Sequence, residues 1–134
     1  MKFIVTIILI FVIADVLIVG YVLFRRYHKK MSRAVIDEIQ SEWKKIIRET
    51  DHRQAIMEAD KLLDYTLTKM GYRGSLGAKL KKAPTLFSNI NDVWAAHKVR
   101  NNIAHKINYK VDEKTYKATM LKFKQAFRDL KIFK

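Results

Sequence analysis

Apolar side chains fill Phe3 to Phe24 almost without interruption, 22 residues with Asp15 as the one charge. A hydrocarbon core of roughly 30 Å needs about 20 apolar residues in a helix, so the run predicts a transmembrane anchor over residues 1–24. It ends in Phe24-Arg25-Arg26 without the small-residue cleavage pattern of a signal peptide, which predicts that the anchor is retained. Beyond it the pattern changes. Apolar positions now recur three and four residues apart between charged ones, the period of amphipathic helices.

Four such helices can be read, and no alternating strand pattern competes with them. Ser32 caps a first helix over 33–49 with Ile36, Ile39, Trp43 and Ile46 on its stripe, unless that helix runs on from the anchor. Asp51, with Gln54 three residues later, resembles a capping box. It opens a second helix whose stripe is Ala55, Ala59, Leu62, Leu63 and Leu67, closed by Gly71. Residues 71–87 hold the remaining glycines and Pro84, and read as a loop carrying about two helical turns. Ser88 is the expected cap of a third helix over 89–107, and Asp112 of a fourth over 113–131 with Tyr116, Met120, Phe123, Phe127 and Leu130 on one seam. The expected architecture is all-α: one membrane helix, a basic juxtamembrane segment and first helix over 25–50, and a helical core over 51–134, closed as an antiparallel four-helix bundle.

Charge changes the picture more than composition does. Residues 25–134 carry 26 Lys and Arg, all but Lys2, against 12 Asp and Glu, all but Asp15, so the formal +14 belongs to this part. Such a field favours nucleic acid, anionic lipid or an acidic protein partner. Arg25, Arg26, Lys29, Lys30 and Arg33 follow the span, and this cluster outweighs Lys2 under the positive-inside rule. The N terminus is therefore expected outside and the rest in the cytoplasm, on an inner membrane. Asp15 in mid-span costs roughly 2.5–3.5 kcal/mol if ionised, and is read as protonated or as a mark of self-association. Cys is absent, which excludes a disulfide framework and a cysteine nucleophile.

The segment Asn91 to Asn108, NDVWAAHKVRNNIAHKIN, holds the candidate chemistry. With Val93 at 0° and about 100° per residue, Ala96, Val99, Ile103, Ala104 and Ile107 share an apolar arc, and Arg100 falls inside it at about 340°. A guanidinium there needs a carboxylate or a subunit interface; Glu58 and Asp60 on the second helix are the candidate acids. His97, Asn101, Trp94 and His105 follow as a polar band. His97 and His105 are two turns apart with no carboxylate at ligand spacing, so no metal or other cofactor is expected.

Arg100-Asn101-Asn102-Ile103-Ala104-His105, RNNIAH, resembles the signature of the HEPN superfamily: Arg, a polar residue, a few more residues, then His. The preceding DVWAAHKV, the upstream AIMEADKLLDYTLTKMGYRG and the GSLGAKLKKAP linker are similar to a group of bacterial HEPN-like domains carried on one membrane helix. The resemblance covers residues 52–131 and implies an all-helical fold and a homodimer that brings two motifs into one cleft. It implies either a metal-independent endoribonuclease or an RNA-binding or interaction module. Carried over, His105 is the general base or acid, Arg100 the phosphate clamp and Asn101 an orienting group; in a dimeric site Glu58 of the second helix is expected to hold Arg100 in position, with His97 in support. Arg100 and His105 are five apart, about 140° on an unbroken helix, so the helix must bend or the site must combine two chains. The competing expectation is a membrane-anchored protein-interaction or assembly module, in which the motif only stabilises the bundle and the Lys-rich faces meet lipid or protein.

Overall fold

The computed structural model describes the backbone of residues 1–27 and 31–134, and the side chains of residues 1–23 and 31–134. Regular structure among the described residues is helical throughout: α1 (Lys2–Tyr27), α2 (Arg33–Ile46), α3 (His52–Lys69), α4 (Leu76–Lys82), α5 (Ile90–His105) and α6 (Glu113–Asp129), with a 3-10 turn at Pro84–Leu86. The chain divides into two compact units, Met1–Lys30 and Met31–Lys134. The second begins at Met31, so α2 belongs with the helices after it. The side chains of the expected basic cluster at Arg25, Arg26, Lys29 and Lys30 lie outside the described residues.

In the first unit, Lys2–Leu23 is long and apolar enough to cross a membrane, and none of it is buried inside the protein. Its 22 residues rise about 1.5 Å each, which matches a hydrocarbon core. Every face is apolar, so no single stripe is set aside for a protein neighbour.

In the second unit each α-helix start has its side-chain cap. Ser32 accepts from the Val35 N–H, Asp51 from Arg53 and Gln54, Ser75 from Ala78, Asn89 from Asn91 and Asp112 from Thr115. Each satisfies an N–H that the helix cannot. Two expectations need correcting. Gln54 does not complete a capping box, because its amide donates to Glu58 at 2.9 Å. Ser88 does not cap α5, because both its N–H and its hydroxyl donate to Asp129 Oδ2 at 2.9 Å, and Asn89 takes the cap instead. Burial works against the Asp129 charge, yet the Ser88 N–H, the Gln125 amide and the Ser88 hydroxyl together hold its carboxyl below the ordinary range.

Helix ends follow the same logic. Gly71, at φ 98°, sits in the left-handed position after α3, with N–H bonds from Gly71 to Thr68 and from Tyr72 to Leu67. Lys131, at φ 63°, repeats this geometry after α6, with Lys131 bonded to Arg128 and Ile132 to Phe127. These are Schellman pairs, and the residue after each, Tyr72 and Ile132, joins the hydrophobic cluster. α6 thus stops at Asp129, two residues before the expected end.

α5 also ends early, at His105. The Arg53 guanidinium donates to the carbonyls of Ile103 and Tyr109, and Asn108 turns the chain at φ 56°. A cation on the last carbonyls favours that terminus. Ala104 and Ile107, expected on the apolar arc, are exposed, Ile107 to 93%. The helix has ended before Ile107 can reach the core.

α3 packs against α2, α4, α5 and α6. The expected stripes supply the hydrophobic cluster: Ala55, Ala59, Leu63 and Leu67 of α3 are completely buried, as are Phe123 and Phe127 of α6 and Ile39 of α2. Trp43 stands 5.2 Å from Phe127, and Phe133 lies 6.1 Å from both rings. Gln40 fixes the chain end by donating to the Ile132 carbonyl at 2.6 Å.

Candidate functional site

The polar band on α5 meets α3 at Asp60, which is 4% exposed. A carboxylate at that depth needs partners on both oxygens. His97 Nδ1 lies 2.7 Å from Oδ1, and Arg100 Nε lies 3.3 Å from Oδ2. His97 and Arg100 are three apart, hence on one face of α5, and one carboxylate reaches both. Arg100 Nη1 also donates to Asn101 Oδ1 at 3.1 Å. The Arg100 contact to Asp60 is an ion pair that misses hydrogen-bond geometry, leaving the buried Nε–H without an acceptor. Trp94 meets the His97 ring edge-on at 6.0 Å.

A second buried charge stands behind this one. Lys79 of α4 is 3% exposed, and its ammonium reaches Asp64 Oδ1 at 2.7 Å, the Asp64 carbonyl at 3.1 Å and Thr68 Oγ1 at 2.6 Å. Three acceptors match its three N–H bonds. Between α3, α4 and α5 opens a groove of about 400 Å³ lined by Asp60, Lys61, Asp64, Ser75, Leu76, Gly77, His97, Arg100 and Asn101. Its two carboxylates and two permanent cations balance, so any long-range pull on an anion comes from the chain's overall +14.

Among the expected site residues, Arg100, Asn101 and His97 come together here. His105 does not: it is the last residue of α5, exposed, and α5 runs unbroken from Arg100 to it. Glu58 is not the acid that holds Arg100. It pairs with Lys61 at 2.7 Å and Gln54 at 2.9 Å, beside an acidic groove of about 340 Å³ that also includes Glu38, Glu42 and Glu49. Asp60, the other candidate acid, takes that place because it lies on the face of α3 turned toward α5. Lys79, expected with Lys81 and Lys82 on a Lys-rich face toward lipid or protein, is instead buried, because packing of α4 on α3 turns its ammonium onto Asp64 and Thr68. No group of three or more His, Asp or Glu placed to hold a metal occurs among the described residues.

Elsewhere, α6 presents Lys114, Lys117, Lys124 and Arg128 to solvent around Leu121, which is 66% exposed. No protein-family model, curated protein or solved structure matches the chain.

Proposed function

We propose that the protein is a membrane-anchored, HEPN-like endoribonuclease that needs no metal, with α2, α3, α5 and α6 as an antiparallel four-helix bundle and the second unit in the cytoplasm. The observation that carries this reading is the state of the motif. Arg100 is held by Asp60 and Asn101 with its side chain 27% exposed, while His105 on the same helix is exposed. A fixed guanidinium stabilises charge developing on a phosphate, and an imidazole, with a reference pKa of about 6.5, moves a proton at neutral pH. Because about 140° of helix separates them, the working site pairs Arg100 of one copy with His105 of a second. The basic surface supplies RNA affinity that falls with salt.

The full chain in detergent, assayed in EDTA, is expected to cleave single-stranded RNA to a cyclic phosphate or its hydrolysis product and to spare DNA of the same sequence, which lacks the 2′-hydroxyl. His105→Ala is expected to lower turnover about 10²–10⁴-fold with little loss of binding. A wild-type protein that binds RNA but shows no turnover across a broad pH range would leave the second reading, a non-catalytic interaction module. That reading is favoured by one observation: the Asp60 carboxylate is occupied on both oxygens, as a purely structural network requires.

A further inference from the structure

The RNNIAH motif leaves unexplained why a second histidine shares the Arg100 groove. His97 is held by Asp60 at 2.7 Å through Nδ1, its side chain 14% exposed, and it lines the groove with Arg100 and Asn101. An ionised carboxylate against Nδ1 fixes the proton on that nitrogen and leaves the Nε2 lone pair as the basic site. Among the described residues Nε2 has no protein partner. The groove, about 400 Å³, falls within the range of ligand sites.

We infer that His97, oriented by Asp60, is the general base that takes the proton from the RNA 2′-hydroxyl. The inference rests on the ribonuclease reading and divides its proton transfers between two histidines. The 2′-hydroxyl proton passes to His97 Nε2 as the 2′-oxygen bonds to phosphorus. Arg100, beside it on α5, meets the charge on the non-bridging oxygens. The P–O5′ bond breaks with its electron pair on O5′, which takes a proton from the His105 imidazolium of a second copy. The products are a 2′,3′-cyclic phosphate and a 5′-hydroxyl. Asp60 is then a positioning residue, acting through the imidazole as the carboxylate of a hydrolase triad does.

The test compares His97→Gln with wild type, both as full chain in detergent. Glutamine keeps a donor toward Asp60 but cannot accept the proton. Expected is a fall in kcat of about 10²–10⁴-fold, KM little changed, and loss of the acidic limb of the pH–rate profile. The charged groups that share the groove with His97 are Asp60, Lys61 and Asp64 of α3 and Arg100 of α5, with Lys79 of α4 paired to Asp64, and all remain in the variant, so a lost limb belongs to the imidazole. Should the variant fail to fold, ¹⁵N-imidazole spectra of wild type decide: an RNA oligonucleotide that keeps its 2′-hydroxyls but carries methylene in place of the bridging O5′, and so cannot be cleaved, is expected to shift the His97 Nε2 resonance while Nδ1 stays protonated. A folded His97→Gln protein that cleaves like wild type, or a His97 Nε2 resonance unmoved by the oligonucleotide, overturns the inference while wild-type cleavage upholds the broader reading. A wild-type protein without turnover overturns both.

Discussion

Asp60 decides what the α3–α5 contact is made of. A carboxylate that is 4% exposed is stable only while its partners stay, and removing one member of a buried pair costs about 3–5 kcal/mol. Asp60→Ala strands both His97 and Arg100, so a loss in that range is expected, read as a lower guanidinium midpoint for the second unit in near-ultraviolet ellipticity. Glu58→Ala removes surface pairings with Lys61 and Gln54, and is expected to cost under about 1 kcal/mol. Equal effects of the two would mean that Asp60 does not hold the network. From sequence both acids were in reach of Arg100, since both lie on the same helix. Which one faces α5 depends on the rotation of α3, set by Ala55, Ala59, Leu63 and Leu67 seeking the core, and a two-residue difference, about 200° of rotation, separates the answers. The same rotation hid Lys79: lysines on a short helix look alike until packing buries one.

Helix stripes were legible because burial on one face imposes a period, and the seam of α6 keeps it from Met120 through Leu130. Helix ends were less so, since they are settled by partners distant in sequence. Ser88 and Asn89 are both competent caps, and Asp129, 41 residues from Ser88, makes the choice by binding the serine. Gly71 announced the end of α3 because glycine tolerates its φ of 98°. Lys131 announced nothing, yet holds the same role at φ 63°. A β-carbon in the left-handed region costs roughly 1–2 kcal/mol, and the greater freedom of glycine in the unfolded chain returns part of it. Lys131→Gly is therefore expected to stabilise the second unit by about 0.5–1 kcal/mol, seen as a higher denaturation midpoint with unchanged helix content. A lower midpoint would mean that the lysine side chain supports the terminus in some other way.

At the scale of the whole molecule, two features the sequence separates cleanly govern where any chemistry takes place: an apolar helix of membrane length and a formal +14 carried by residues 25–134. A transmembrane orientation follows the Lys and Arg nearest the span ends. Arg25, Arg26, Lys29, Lys30 and Arg33 stand against Lys2 alone, which argues for a cytoplasmic second unit. The chain has no cysteine, so Lys134→Cys introduces a single thiol. It is expected to resist a membrane-impermeant maleimide in intact cells and to react once they are permeabilised. Labelling in intact cells would put Arg100, His97 and His105 on the side where cellular RNA is not found, and would leave the basic faces to lipid or protein contacts whatever the groove is able to do.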